Sequence, residues 1–346
     1  MSGGSRVWHG VLRERRAVFG MAVMGLLAAL ALAADFVAND KPYYIEIEGE
    51  SHFPVLIDYQ VWLGLRQWPA QLANQRFSKL AASADVVLWP PIPYSATVPD
   101  ISGDVFEPPS AAHWLGTDGL GRDVAAGLIH GIRVSLTIGL VVVAIQASIG
   151  VLLGGIAGYY GGPADLVLSR IFEVMLGIPT FFLIITVAAV FKPSIYLIMV
   201  ILGLTGWVGI ARLIRSEFLR VRAMDYVAAA QSLGARDTRI MLRHILPNAI
   251  APVLVSMSFG VASAILTESG LSFLGIGVPA HVVTWGSILA VAQSNTTAWW
   301  LAVFPGAAIF VTVATPVRDV LIGGEQVVTA GRHREEDKVF ARYRAA

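Results

Sequence analysis

The sequence predicts an all-α, polytopic membrane protein built on six transmembrane helices, and three observations carry that expectation. Charged residues make up 14% of the 346 positions and hydrophobic residues 55%, whereas an average soluble domain is about 25% charged. Apolar stretches long enough to cross a hydrocarbon layer of about 30 Å recur along the chain. Arginine is unevenly divided among the segments that join those stretches, as the positive-inside rule requires. Net charge is +1, which marks no nucleic-acid binder. The absence of cysteine excludes disulfides, thiolate metal sites and cysteine nucleophiles.

Ala17–Val37 is apolar up to Asp35 and follows Arg13, Arg15 and Arg16, so it reads as a first span. A cleaved signal peptide is the rival reading, because Ala31-Leu32-Ala33 resembles a small-residue cleavage site. Residues 38–131 hold no spanning run and form a long loop outside the membrane. Within it Tyr43-Tyr44-Ile45-Glu46-Ile47-Glu48 alternates like a strand, and Trp89-Pro90-Pro91-Ile92-Pro93 is too rich in proline for a helix. A loop this long is functional or disordered, and this one is expected to be ordered. The spans then resume over Ile132–Ala157, Leu166–Phe191, Ser194–Ile210, Asn248 to about Gly277 and Trp299 to about Val320. Gly154, Gly155 and Gly158 suit close helix approach. Residues 132–322 thus form the membrane domain and 323–346 a polar tail, disordered or a short surface helix.

Six spans place both ends on one side of the membrane, and charge agrees. Arg212, Arg215, Arg220, Arg222, Arg236, Arg239 and Arg243 crowd the 212–247 loop, and the tails carry Arg6, Arg13, Arg15, Arg16, Arg332 and Arg334. The linker after the third span has only Lys192, and residues 278–298 have no Lys or Arg. The tails and the Arg-rich loop therefore face the cytoplasm, and the 38–131 loop faces outward. The Arg-rich loop reads as helix–turn–helix. Its alanines favour helix, Gly234 ends a first helix or admits another backbone, Asp237 or Thr238 starts a second, and Pro247 stops that one or starts the next span. From the residues alone, a solvated basic loop explains this stretch about as well as a docking surface does.

A resemblance weighs toward docking. Ala229, Ala230, Gly234, Leu246 and Pro247 stand in register with the signature loop of bacterial ATP-binding-cassette importer permeases. Ala228 replaces the usual Glu of that pattern, and His244 an Ile. Leu115-Gly116-Thr117-Asp118-Gly119-Leu120-Gly121-Arg122-Asp123 resembles the start of the permease domain of dipeptide and oligopeptide importers. Thr267-Glu268-Ser269-Gly270-Leu271-Ser272-Phe273-Leu274-Gly275, Trp285-Gly286 and Phe304-Pro305-Gly306 are similar to later parts of it. The outer segments Asn39-Asp40-Lys41-Pro42 and Trp89-Pro90-Pro91-Ile92-Pro93 resemble the long-loop Yej-type subclass, associated with peptides and microcin C. The pattern departs near the end, where Thr315-Pro316-Val317 runs straight into Arg318-Asp319. The resemblance implies the six-helix permease fold of type I importers. It implies that Ala229, Ala230, Gly234, Ala235, Arg236, Asp237, Leu246 and Pro247 dock in a groove of an ATPase subunit. It further implies a second permease subunit, a periplasmic substrate-binding protein and a peptide substrate, with ATP hydrolysed by the partners and no cofactor bound by this chain.

Glu268, an ionisable group in the fifth span, either lines the outer mouth of a pathway or accepts hydrogen bonds between helices. The scattered histidines show no metal-ligand spacing. Gly116–Gly121 lacks the Gly-Lys-Ser/Thr ending of a phosphate loop, so nothing here hydrolyses ATP. An ion-coupled secondary transporter would show paired mid-membrane charges and mirrored halves, and an intramembrane enzyme a nucleophile–base cluster; the sequence shows neither. An importer of another solute, such as a metal chelate, stays open.

Overall fold

The computed structural model describes residues 15–73, 75–100, 105–192, 194–276, 278–279, 281–314, 320–322, 325–329 and 332–333. In chain order its main elements are α1 (Arg15–Leu32), β1 (Tyr44–Ile47), β2 (Glu50–His52), α2 (Pro54–Trp62), β3 (Val86–Leu88) and α3 (Val124–Tyr160). There follow α4 (Gly162–Leu176), α5 (Thr180–Val190), α6 (Ile195–Gly206), α7 (Val208–Arg222), α8 (Asp225–Ser232), α9 (Ala251–Phe273), α10 (Trp285–Val291) and α11 (Trp300–Ala314). Short strands at Val320–Ile322, Glu325–Thr329 and Arg332–His333 pair antiparallel. They stand where the sequence suggests a surface helix or no order, and the β-branched Val320, Ile322, Val327 and Val328 favour the extended form. The Arg318-Asp319 pair lies outside the described residues.

Among the described residues, three helical stretches are long and apolar enough to cross a membrane: α3, the run Ile195–Arg222, and α9. The pair α4–α5 is a fourth if its two parts form one span. Ala22–Leu32 and α11 are shorter apolar helices. The single third span expected over Leu166–Phe191 is instead broken by 68° between α4 and α5. Pro179 stands at the break as the residue before α5, where a proline cannot supply the amide a continuous helix needs. The fourth span does not end at Ile210 as expected but runs on to Arg222. Its arginines are accommodated because Ile210, Ile214, Phe218 and Val221 take the buried face, while Arg215 forms a two-pronged ion pair with Asp165 of α4.

The chain divides into two units, residues 25–135 with 269–310, and residues 1–24 with 136–268 and 311–346. In the first unit the outer segment is folded. Strand β1 is central in an antiparallel sheet of order β2-β1-β3, and Ile45, Ile57, Leu72 and Phe77 fill its core. Asp35 ties this segment to the end of α1, accepting from Tyr59 at 2.6 Å and from Arg133 at 3.0 Å. Burial and the Asp35 bond push Tyr59 up to about 12, so its phenol remains a donor throughout the neutral range. The Leu115–Asp123 motif is a turn that starts α3: Asp118 accepts from the amides of Leu120 and Arg122, and Asp123 from that of Ala126. With Asp123 as the cap, α3 begins at Val124 rather than Ile132. A second core gathers Val124, Val283, Ile288, Trp300 and Leu301.

In the other unit, α3 and α7 touch through their backbones. Gly150, Gly154 and Gly158 recur every four residues on one face of α3. A Cβ on Gly154 would lie 2.2 Å from the carbonyl oxygen of Ala211. One on Gly158 would lie 2.6 Å from that of Arg215, and one on Gly150 2.8 Å from the Ile210 side chain. Gly155 is looser, with Phe218 ring atoms at 3.3 Å.

Gly154→Val should therefore destabilise the folded chain by about 3 kcal/mol or more, because backbone cannot yield as a side chain can. Gly209→Ala, where nothing lies within 4 Å, should be neutral or stabilising by up to about 1 kcal/mol. Thermal unfolding of both variants in detergent checks this; wild-type stability in Gly154→Val would show that the helices do not meet along this stripe.

Candidate functional site

The segment from Ala223 to Ile250 follows α7 and lies in the same unit as α3. Its helix α8 ends in a capping turn: the Gly234 amide donates to Gln231 O at 2.9 Å and the Ala235 amide to Ala230 O at 3.1 Å. Those two bonds satisfy carbonyls that a helix end leaves open, and they need a left-handed residue between them. Gly234 supplies it with φ +74°. A second helical stretch starts at Asp237, as the sequence suggests, and widens into a π-turn over Ile240–Ile245. Pro247 accounts for the widening, since it has no amide to donate and its ring crowds the preceding turn.

Apolar burial holds the segment. Val227, Ile240 and Ile245 are fully enclosed against Ile214, Phe218 and Val221 of α7. Two polar ties reinforce them. Tyr159, near the end of α3, donates to Asp237 Oδ1 at 2.7 Å, and Arg222 donates to the Tyr159 carbonyl. The Tyr159–Asp237 bond makes the loop an extension of the α3–α7 pair, and the Arg222–Tyr159 bond fastens α7 itself to α3.

The expected site residues divide by where they face. Ala229, Gly234, Arg236 and Pro247 are exposed. Ala230, Ala235 and Leu246 are half-buried and pack on the core beneath. Asp237 is exposed but engaged by Tyr159. Sequence reasoning missed the apolar residues that dominate the outer face. Leu233 is 88% exposed and Leu242 66%, with Tyr226 and Met224 also open. No sequence signal separates Leu233 and Leu242 from the buried Val227, Ile240 and Ile245 of the same segment; their exposure is visible only in the fold. Arg236, Arg239 and Arg243 are exposed on the same segment. Apolar side chains amid cations suit an apolar groove with an acidic rim; the segment presents no nucleophile–base pair. Among the described residues, no group of His, Asp and Glu could hold a metal ion.

Glu268 is elsewhere, within α9 and wholly buried. It engages in an interaction inside the chain.

Comparison with known proteins gives the family. Residues 150–320 match the family model described as binding-protein-dependent transport system inner membrane component. The inner membrane ABC transporter permease protein YejE of Escherichia coli is 36% identical over 324 residues, covering 92% of this chain and 94% of that protein. The peptidoglycan transport system permease protein YejE of Agrobacterium fabrum is 32% identical, covering 93% and 91%. The dipeptide transport system permease protein DppC of Bacillus subtilis is 39% identical over 221 residues, covering 63% and 68%. The chain belongs to the family of inner membrane permease components of binding-protein-dependent ABC transport systems.

Proposed function

We propose that this chain is one of two permease subunits of an importer for peptides or peptide-like solutes, energised by ATPase subunits docked on the 223–250 segment. The observation that carries the docking role is a solvent-facing surface that exposes Leu233 and Leu242 above a buried apolar base. As a transport component the chain is no enzyme; the ATPase partners hydrolyse ATP and a periplasmic binding protein delivers substrate. Dipeptides in one relative's name and peptidoglycan in another's support a substrate class of peptides and peptide-bearing fragments. Because Val227, Ile240 and Ile245 lock the segment to α7, a push from the ATPases moves α7 and α3 with it. That motion is the means by which ATP binding opens the path alternately to either side.

The membrane arrangement we propose has six spans: α1, α3, the bent pair α4–α5, the run Ile195–Arg222, α9 and α11. Both termini and the docking segment lie in the cytoplasm, supported by the arginine distribution. The chain has no cysteine, so single cysteines report cleanly. Cysteines at Ser83 and Thr238 should react with an impermeant maleimide from opposite faces of the membrane; labelling of both from one face would overturn the topology.

Docking is tested with Leu233→Asp and Gly234→Arg. The Leu233 side chain is exposed and a Cβ added at Gly234 would meet nothing within 4 Å, so Leu233→Asp should leave the isolated chain's stability unchanged. The Gly234 variant adds local strain of about 1 kcal/mol. Both should reduce ATPase-subunit binding and substrate-stimulated ATP hydrolysis by about tenfold or more, which corresponds to about 1.4 kcal/mol. Arg220→Ala, which removes an exposed partner of Glu217, should stay near wild type. Wild-type coupling in both test variants would leave the segment a solvated basic loop.

A further inference from the structure

Helix α2 uses one side for the core of the outer segment, burying Val55 and Ile57. Its end turns outward. Trp62 is 81% exposed, and Leu63 and Leu65 are exposed at 59% and 74%. This tip is ordered. Leu63 N donates to Tyr59 O at 2.9 Å, Gly64 N to Val61 O at 3.0 Å and Leu65 N to Gln60 O at 2.8 Å. Gly64 makes the turn with φ +71°. A tryptophan and two leucines are thus held rigidly away from the core they could have joined, an arrangement that is unfavourable in water.

The tip lies beside the end of α1. Three residues before Trp62 on the same helical face, Tyr59 stacks on Phe36 with ring centroids 6.1 Å apart and bonds Asp35. Phe36 and Asp35 lie in the turn Ala34–Val37, just after α1 ends at Leu32. Lys41 pairs with Asp58 at 2.6 Å, a second tie to the same place. Phe36 also packs near Tyr43, so aromatic rings cluster where the apolar helix stops. Tyr59 and Trp62 are separated by about 4.5 Å of helix rise, which keeps the tip within one helical turn of that cluster. Leu32 and Phe36 are themselves exposed, so apolar surface extends along α1 to its end and resumes on the tip. Arg66 follows it, exposed, with a side chain able to reach lipid phosphates while its stem lies along apolar surface.

We infer that the Trp62–Leu65 turn lies in the headgroup region of the bilayer as an interfacial anchor, holding the outer segment down on the membrane beside α1. Amphipathic aromatic rings favour this layer, and leucines beside them reach its apolar edge. The inference rests on the reading that α1 spans the membrane.

Single cysteines replacing Trp62, Leu65, Glu50 and Leu26, spin-labelled in the importer reconstituted in phosphatidylethanolamine–phosphatidylglycerol nanodiscs, test it by power saturation with oxygen and a water-soluble nickel chelate. Glu50 is exposed in the β1–β2 hairpin and Leu26 is exposed on α1. Labels at 62 and 65 should favour oxygen over nickel, as at 26, with 50 showing the reverse. Two results overturn the proposal: nickel access at 62 and 65 equal to that at 50, or low access to both reagents, which means a partner protein covers the tip. If Leu26 also favours nickel, the spanning role of α1 has failed and the anchor fails with it. If Leu26 favours oxygen and 62 and 65 do not, the anchor alone has failed.

Discussion

Backbone contact between α3 and α7 is the constraint on which the rest of this structure depends. Lipid supplies little hydrophobic force for packing one apolar helix on another, so close-packed van der Waals contact has to do it. Gly150, Gly154 and Gly158 provide that contact by placing no side chain of their own against Ile210, Ala211 and Arg215 of α7. With α7 seated, its buried face of Ile210, Ile214, Phe218 and Val221 becomes a platform. Its polar side is then committed to Asp165 through Arg215 and to the Tyr159 carbonyl through Arg222. Arg215 and Arg222 therefore fasten helices together.

The platform gives the 223–250 segment its mechanical character. A loop held only at its ends would absorb a push from outside. This one is fixed in its interior by Val227, Ile240 and Ile245 and by the Tyr159–Asp237 bond. Small residues lie between the fixed points, so the outer face is low and bears Leu233 at its crest. Stiffness beneath and an apolar, cationic surface above are the two properties a force-transmitting contact requires.

Much of this was legible in the residues. Composition and arginine placement indicated the membrane class, the alternation at Tyr43–Glu48 located β1 over Tyr44–Ile47, and Gly234 marked the end of α8. The motif at Leu115–Asp123 was visible as a resemblance, but its role as the cap of α3 depends on Asp118 and Asp123 bonding to amides that are known only in the fold. Span ends were misjudged where charge was taken as a stop. Arg212 and Arg215 do not end the helix, because one face of α7 stays apolar through Val221 and the arginines fall outside it. The break at Pro179 was readable from proline chemistry and was overridden by an unbroken hydropathy run. The outward leucines of the docking segment escaped notice because periodicity finds faces, not exposure. Gly155 was grouped with its neighbours, but the register of α3 puts Gly150 on the contact line with Gly154 and Gly158 instead.

The central claim is that the docking segment moves as one body with α7. Two cysteines in this cysteine-free chain, replacing Leu233 on the crest and the exposed Leu219 on α7, allow their separation to be measured by double electron–electron resonance in the assembled importer. The account predicts one narrow distance distribution that is the same in the resting and ATP-bound states. A broad distribution, or a shift of several ångströms when ATP binds, would contradict it, because the segment would then flex instead of carrying α7 along.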